Sequence, residues 1–324
     1  MPDPLLSVCV CTQDRPGYLA DCLEGLRHQT AASELFEVLV VDSASAPVAS
    51  TSIRAVVEAY RHGDGEAAAH LIRLDKPGLS RARNAGARTA RANYICYIDD
   101  DAIPSPNLVE MALQAITGAD RAPALIGGRI LPLWEAPLPR WWPARLRGVL
   151  SIVEDVGAGE YRSPDLPPDL EPCGANFIVH VPALLAAGGF STTAGRSGSS
   201  LLSDEEVQLA WRLQRAGHSV RYDSGLVVRH QIQATRLTPV WLLSRLHWQG
   251  VSAVLTRRTL GRSGAVWREL PRRMVVALLF APAGLLPRRS VRLIGMRWRL
   301  AYALGFLRGA AFWRLSPARD AVPD

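Results

Sequence analysis

The sequence predicts an α/β fold with a doubly wound, mainly parallel sheet, followed by a helical and basic C-terminal extension. Short β-rich runs alternate with stretches of helical periodicity over residues 1–118, and such alternation is typical of parallel sheets with right-handed connections. Three acids directly follow one strand-like run, and ligands of open α/β sheets bind beyond the carboxyl ends of strands. With 324 residues, 48% of them apolar, the chain is long enough to bury a large core.

The first two strands each end in polar residues. Residues 5–11 (LLSVCVC) predict a strand, and a polar loop and a helical repeat from position 18 follow. Residues 36–41 (FEVLVV) predict a second strand that ends at Asp42. An acid at that edge can accept hydrogen bonds from a ribose or a base, and a helix cap is the alternative.

A basic helix is predicted after the third strand. Residues 53–60 suit a helix and residues 70–74 a strand, and the segment KPGLSRARNAG follows at 76–86. We expect Ser80 to cap a helix whose first turns carry Arg81 and Arg83. Helix N-termini and arginines both favour phosphate, and a solvated basic face is the alternative.

The acidic run Asp99, Asp100 and Asp101 follows the predicted buried strand at 94–98. Adjacent carboxylates repel one another, so a divalent cation with oxygen ligands is a natural partner. A solvated acidic turn or a helix cap is the alternative. The sequence has no G-x-G-x-x-G after the first strand and no Walker A motif. Phosphates would therefore be held by a metal and by arginine.

Residues 119–172 are rich in Pro and Trp and predict a long, partly ordered loop. Its Trp134, Trp141 and Trp142 can stack on a sugar or an apolar ligand, or fasten the loop to the protein body. Residues 173–179 predict another strand, and a helix from Pro182 is expected to end near Gly188.

A second acidic run opens a later helix. A small-residue loop at 195–202, which we expect to be free to move, leads to Asp204, Glu205 and Glu206 at the start of an amphipathic helix. The helix dipole alone favours acids there, and catalysis is the alternative. Residues 219–228 predict a hairpin or strand pair that ends at His230, which is either a packed side chain or a metal ligand.

The positive charge is concentrated in residues 236–324, which hold sixteen Arg and three acids. The apolar stretches there are short or interrupted by Arg, so membrane spans would be costly. We expect interfacial helices that attach peripherally to the inner face of a membrane, with a helical subdomain or an oligomer interface as the alternative. Five cysteines without CxxC spacing and no visible secretory signal favour a cytoplasmic location.

Several motifs occur in one order along the chain. They are VCVCT (8–12) with Arg15, VVDS (40–43), GLSRARNAG (78–86), YIDDD (97–101), GAN (174–176), GGF (188–190), DEEVQL (204–209) with Arg212 and Leu213, and His230. This ordered set resembles family 2 glycosyltransferases of the GT-A fold over roughly residues 5–235. The resemblance divides the chain into a nucleotide-sugar half (1–118), an acceptor and catalytic-base half (119–235) and the basic tail (236–324).

The resemblance implies roles for the front-half residues. Asp42 would contact the nucleobase, while Thr12 and Arg15 would line the nucleotide pocket. Arg83 would lie near the diphosphate or the donor sugar.

The acids of the D-x-D motif have implied roles of their own. Asp99 would lie near the ribose and the metal, and Asp101 on the metal. Asp100 belongs to the same nucleotide-sugar site, and His230 would be a further metal or diphosphate contact.

The back half would hold the base and the acceptor. In the Glu-Asp motif of the family the aspartate is the base, and the aligned residue here is Glu206, a departure that keeps the carboxylate. Glu205 and Asp204 are the alternative bases, and the three tryptophans are the predicted acceptor contacts.

The implied reaction is inverting transfer of a sugar from a nucleoside diphosphate donor, with UDP favoured, to an acceptor hydroxyl. The cofactor would be Mn²⁺ or Mg²⁺, which offsets the charge of the departing diphosphate. The acceptor would be a lipid-linked saccharide, a polysaccharide or a natural product. A metal-dependent nucleotide-sugar hydrolase and a nucleic-acid-binding protein are the rivals. Nucleic acid is not expected as a partner, because binding nucleic acid does not require the two carboxylate clusters.

Overall fold

The computed structural model describes residues 3–62, 67–119, 121–154, 156–161, 166–167, 170–192 and 201–315. The strands in these residues are β1 Leu6–Thr12, β2 Phe36–Ser43, β3 Ala68–Leu74, β4 Tyr94–Asp99, β5 Ala102–Pro104, β6 Leu125–Trp134, β7 Gly159–Glu160, β8 Asn176–His180 and β9 Val220–Ile232. The helices are α1 Pro16–Arg27, α2 Pro47–Arg61, α3 Leu79–Thr89, α4 Leu108–Thr117, α5 Val181–Ala186, α6 Glu205–Arg215, α7 Pro239–Thr259, α8 Ser263–Phe280 and α9 Ile294–Leu315.

The strands form one sheet in the order β3-β2-β1-β4-β8-β6-β9-β5, with β7 paired to β9. The first four strands are parallel, and β8 runs antiparallel between β4 and β6. Apolar side chains cover both faces of the sheet, which is why all seven residues of β1 are buried. The predicted α/β class is confirmed.

The sheet register gathers the polar strand ends. Thr12 at the end of β1 lies opposite Asp42 of β2, and Cys11 lies opposite Asp99 of β4. Because these strands are parallel, their carboxyl ends meet at one edge. That edge is the floor of the site described below.

Two predictions for the middle of the chain are wrong. The segment predicted as a loop at 119–172 contains the ten-residue strand β6, which pairs with β8 and β9, and a 3-10 turn at Ala144–Leu150. The predicted hairpin at 219–228 is part of the single strand β9, with a register shift where it passes Gly128 and Arg129. In both cases pairing between distant strands overrides the local turn signals.

The predicted helix cap at Ser80 is also wrong. Helix α3 begins at Leu79 after Gly78, whose φ of 143° suits only glycine, and no side chain caps it by a hydrogen bond. The backbone N–H of Gly78 donates to Ser43 Oγ at 3.0 Å instead. Of the predicted mobile loop at 195–202, residues 195–200 lie outside the described part of the chain.

The described C-terminal residues, 239–315, contain the three α-helices α7, α8 and α9. Helices α7 and α9 pack closely, since Gly250 faces the backbone of Tyr302 and Gly305 faces the backbone of His247. Helix α8 packs against α9. Among the described helices, none has the length and apolar composition needed to cross a bilayer.

Candidate active site

A cleft of about 1210 Å³ opens beyond the carboxyl ends of β1 and β4. Its walls come from the front half of the chain, the start of α6 and the C-terminal helices. The chemically relevant lining residues are Thr12, Arg15, Arg83, Asp99, Asp101, Asp204, Glu205, Glu206, Arg236, Arg245, Arg257, Trp298 and Tyr302. The two predicted acidic clusters therefore share one cavity, which is large enough for a nucleotide sugar and part of an acceptor.

Arg83 is the buried centre of this cleft. Its side chain is 2% exposed, and its guanidinium lies 5.2 Å from the ring centroid of Phe177 and 5.6 Å from that of Phe190. The guanidinium donates to the carbonyl oxygen of Gly174 at 3.1 Å. A Cβ at position 174 would lie 2.4 Å from Arg83 Nη2, so glycine is required for this approach.

Arg83 joins the two acidic clusters. Its Nη1 donates to Glu205 at 2.8 Å and lies 4.0 Å from Glu206 Oε2, while its Nη2 lies 3.6 Å from Asp99 Oδ1. Burial opposes its charge, but these carboxylates outweigh burial and raise the pKa of Arg83. The guanidinium therefore stays charged and holds acids from β4 and α6 around one point.

Asp100 faces the interior of the protein. Its carboxylate accepts a hydrogen bond from Thr12 Oγ1 at 2.7 Å and pairs with Arg15. Burial raises the pKa of Asp100 to about 7, against the charge of Arg15. Asp100 is thus a structural anchor for Thr12 and Arg15, and Asp99 is the more exposed acid of the run.

Asp101 is held by three donors from two parts of the chain, the start of α1 and the segment that follows β9. Its Oδ2 accepts from Arg15, Gln233 and Arg236, each at 2.8 Å. Burial works against ionisation, but nearby His230, Arg236 and Arg15 outweigh it and hold the pKa of Asp101 well below its usual range. Asp101 is a carboxylate at neutral pH.

The other oxygen of Asp101 fits a metal site. Oδ1 is buried without a hydrogen-bond partner and lies 3.3 Å from His230 Nε2. His230 Nδ1 lies 3.1 Å from the carbonyl oxygen of Leu150. His230 Nε2 also lies 3.3 Å from Arg236 Nη1, so this nitrogen is shared between a carboxylate and a guanidinium.

Protein ligands alone would not complete such a site. Within the described ranges, no three His, Cys, Asp or Glu side chains are arranged to hold a metal ion. Mg²⁺ is commonly bound by one or two carboxylates together with substrate phosphates and water. The residues present fit a cation that arrives with a diphosphate.

Glu206 lines the same cleft. Its Oε1 accepts from the backbone N–H of Gly174 at 3.0 Å, and its Oε2 is buried without a hydrogen-bond partner. Burial and the neighbouring charge of Glu205 raise the pKa of Glu206 to about 8, against the charge of Arg83. A carboxyl group whose pKa is near neutrality can exchange a proton close to physiological pH.

The other two acids of this run, Glu205 and Asp204, are engaged in contacts with neighbouring side chains. Glu205 is ion-paired with Arg83 at 2.8 Å. Asp204 precedes α6 with a left-handed φ of 81°, and its carboxylate accepts from Ser203 Oγ at 2.8 Å. Burial raises the pKa of Asp204. Glu205 Oε2 is, like Glu206 Oε2, buried without a hydrogen-bond partner, and Glu206 is the more exposed of the two.

Asp42 is occupied by neighbouring groups. Its oxygens accept from the backbone N–H of Ser45 at 2.9 Å and from Ser50 and Arg73, each at 2.7 Å. Burial opposes ionisation, but these partners lower the pKa of Asp42. Asp42 is 1% exposed and lies behind Ser43, which lines the cleft. A contact between Asp42 and a nucleobase remains a prediction that requires Arg73 to move.

The three predicted acceptor tryptophans lie in an apolar cluster with the C-terminal helices. Trp142 is 6% exposed, and its ring centroid lies 5.5 Å from Trp141 and 6.5 Å from Trp241 of α7. Trp134 and Trp141 pack against the same cluster. None of the three lines the described cleft. Their observed role is to fasten the segment to the protein body, and acceptor contact remains a prediction.

Three residues beyond the end of β9 contribute to the site without having been predicted. Arg236 binds Asp101 although it was placed in the basic extension, and Gln233 binds the same oxygen. Arg245 donates to Ser203 Oγ at 3.2 Å beside Asp204. The sequence clue to Gln233 and Arg236 was their position, because both follow the predicted metal ligand His230 within six residues.

The architecture and cleft define the GT-A fold of glycosyltransferases. PcManGT, a mannosyltransferase from Pyrobaculum calidifontis in complex with GDP-Man and Mn²⁺, superposes with a TM-score of 0.59 at 18% identity, over 98% of this chain and 89% of that one. S. aureus TarS 1–349, in complex with UDP, superposes with a TM-score of 0.52 at 14% identity, over 98% and 94% of the two chains.

Residues 7–136 match the model of glycosyl transferase family 2. The chain is 27% identical over 176 residues to the glucosyl-dolichyl phosphate glucuronosyltransferase of Haloferax volcanii, covering 54% of each protein. It is 28% identical over 237 residues to the pre-mycofactocin glycosyltransferase of Mycobacterium tuberculosis, covering 72% of this chain and 45% of the relative. Residues 7–136 are thus similar to glycosyl transferase family 2, as the motifs indicated, and the chain spans about half the length of these relatives.

Proposed function

We propose that this protein is an inverting glycosyltransferase that moves a sugar from a nucleoside diphosphate sugar to an acceptor hydroxyl. The observation that carries the proposal is the arrangement around Arg83, which brings Asp99 of the D-x-D motif and Glu206 of α6 to one guanidinium. One side of the cleft then suits a donor diphosphate, and the other suits a hydroxyl that must lose a proton.

On the side of the cleft that binds the sugar donor, arginines and a divalent metal would hold the diphosphate. Arg15 and Arg236 both contact Asp101, and arginine recognises phosphate oxygens through paired N–H donors. A divalent metal, Mn²⁺ or Mg²⁺, would be held by Asp101 and His230, with Asp99 at the cleft edge, and would stabilise the negative charge of the leaving diphosphate. We take a UDP-sugar as the first donor to test.

Glu206 would be the catalytic base. Its unpartnered Oε2 can accept the proton of the acceptor hydroxyl as the oxygen attacks the anomeric carbon. Attack from the face opposite the diphosphate inverts the anomeric configuration in a single step. Glu205 would keep Arg83 in place and would not exchange a proton.

The acceptor would enter from the side of the C-terminal helices. Trp298 and Tyr302 of α9 and Arg257 of α7 line that part of the cleft, and aromatic and cationic groups together suit a sugar that bears a charged group. One relative is described as acting on glucosyl-dolichyl phosphate. We propose a lipid-linked saccharide as the acceptor class, met by a cytoplasmic protein that attaches peripherally to the membrane.

The proposal is tested by a screen of nucleotide sugars with Mn²⁺ or Mg²⁺. A matching donor and metal should raise the melting temperature together, because ligands that bind only the folded state stabilise it. Transfer to added acceptors is then followed by mass spectrometry, and the anomeric configuration of the product by NMR. Stabilisation without transfer, accompanied by release of free sugar, would favour the hydrolase instead. No stabilisation by any nucleotide would overturn the proposal.

A further inference from the structure

We infer that the hairpin of α8 and α9 carries a surface that binds anionic phospholipid membranes. In the described residues, ten of the fifteen exposed large apolar side chains lie between Trp267 and Leu304. Met274, Val275, Leu278 and Leu279 are 50% to 76% exposed and repeat at helical spacing along one face of α8. A soluble surface rarely groups so many apolar side chains without a partner.

The apolar side chains continue across the connection to α9. Leu285 is 88% exposed in the 3-10 turn Ala281–Leu285, and three more exposed residues follow before or at the start of α9. The turn packs against both helices. We call the whole set the apolar hairpin surface, formed by Met274, Val275, Leu278, Leu279, Leu285, Val291, Leu293 and Met296.

The charges around this surface are of one sign. Arg288, Arg289 and Arg292 are exposed in the connection that carries the apolar residues. The sequence has no acidic residue between Glu269 and Asp320, although ten arginines lie in that stretch. Apolar side chains beside arginines are the composition of elements that lie at the interface of a membrane, where the arginines meet lipid phosphates.

Other partners fit this composition less well. In a symmetric dimer, two copies of the surface would bring their arginines against one another. A nucleic acid would satisfy the arginines but would leave the leucines and valines exposed to water. A bilayer surface satisfies both groups at once. Insertion is shallow in this view, since none of the described helices suits a membrane span.

The same helical unit faces the cleft. Ala265 of α8 and Trp298 and Tyr302 of α9 line it. If the proposed transfer to a lipid-linked acceptor holds, a membrane bound at the hairpin would supply that acceptor on the side where these residues lie. Membrane binding itself does not depend on that function.

The inference is tested by flotation of the full-length protein with vesicles. Wild type should float with mixed phosphatidylcholine–phosphatidylglycerol vesicles and much less with phosphatidylcholine alone. Leu278→Glu combined with Leu279→Glu should lower the partition coefficient by about tenfold or more, because charges replace two exposed leucines that would insert into the lipid interface. Replacing Arg288, Arg289 and Arg292 with Gln should remove the dependence on anionic lipid and on salt.

The matched control is Val48→Glu, which changes a side chain that is 82% exposed at the start of α2. It should bind vesicles like wild type, and circular dichroism should show that all variants are folded. Absence of vesicle binding by wild type, or equal binding by the leucine variant, would overturn the inference. So would a concentration-dependent dimer that the leucine variant abolishes. Nucleotide-sugar turnover in solution is measured in parallel, so failure of membrane binding is distinguished from failure of the proposed function.

Discussion

Arg83 links parts of the chain that are far apart in sequence. It is 122 residues from Glu205 and 91 residues from Gly174, and it contacts both. The backbone of Gly174 in turn donates to Glu206. Gly174 therefore couples the position of the guanidinium to that of the proposed base.

Gly174→Ala should lower turnover by about tenfold or more while the protein stays folded. The new Cβ would lie 2.4 Å from Arg83 Nη2, so the guanidinium must move, and small displacements of catalytic groups are costly. The check is kcat together with the melting temperature. The control is Gly157→Ala, where a Cβ meets no atom within 4 Å. Equal activity of the two variants would show that Arg83 does not need its present position.

Glu206→Gln should change the pH dependence of stability. The folded pKa of Glu206 is about 8, raised from 4.5 by burial. Its stabilising contribution is therefore complete below pH 4.5 and is lost as pH rises through about 8. Glutamine does not ionise. Between pH 6 and pH 9, the free energy of unfolding of the variant should therefore rise by roughly 1–3 kcal/mol relative to that of wild type.

The measurement is chemical denaturation of both proteins at the two pH values. Glu34→Gln, at an exposed glutamate, is the control and should show no such change. If wild type and Glu206→Gln differ in free energy of unfolding by the same amount at pH 6 and pH 9, then Glu206 ionises with an ordinary pKa.

The residues of the site were easier to predict from the sequence than the hydrogen-bond partners of those residues. The acids Asp99, Asp101 and Glu206 and the arginines Arg15 and Arg83 were identified from motifs, and all line the cleft. Asp42 was assigned to the nucleobase, whereas its oxygens are taken up by Ser45, Ser50 and Arg73. A motif specifies a carboxylate, but only the folded chain determines which donors reach it.

At the scale of elements, α7 and α9 pack with their backbones close together, and both line the cleft. A Cβ at Gly305 would lie 1.8 Å from the carbonyl oxygen of His247, and one at Gly250 would lie 2.3 Å from that of Tyr302. These glycines allow the two backbones to touch. The contact fixes Tyr302, and with it the wall that α9 contributes to the cleft.

Gly305→Ala should destabilise the protein by about 1–3 kcal/mol, because the backbones must separate to admit the methyl group. Gly264→Ala in α8 is the control, since a Cβ there meets no atom within 4 Å. That control should be neutral or slightly stabilising. Urea denaturation of both variants gives the comparison. Similar stabilities would mean that the helices are not in close contact.

Elements with a clear local pattern were predicted well. Strands β1, β2 and β4 are continuous apolar runs, and their existence and order were correct. Strand β6 was missed because it contains Pro132 and ends at Trp134. Its hydrogen-bonding partners are β8 and β9, more than forty residues away. A local pattern carries no information about such pairing.

At the scale of the whole molecule, the cleft depends on all three predicted segments. The front segment supplies Arg83 and the D-x-D acids, the middle supplies Glu206, and the predicted tail supplies Arg236, whose side chain contacts Asp101. The sequence indicated the basic charge of the tail but not its contact with the acids. Charge composition does not specify which arginines turn inward.

The central claim is that one cleft binds a metal-bound nucleotide at Asp101 and removes a proton at Glu206. The most direct test compares Asp101→Asn with Glu206→Gln in two assays, stabilisation by nucleotide with Mn²⁺ and sugar transfer. Asp101→Asn should lose the Mn²⁺-dependent stabilisation. Glu206→Gln should keep that stabilisation and lose transfer by about 10²-fold or more. If Glu206→Gln transfers sugar at the wild-type rate while nucleotide binding persists, the account is wrong.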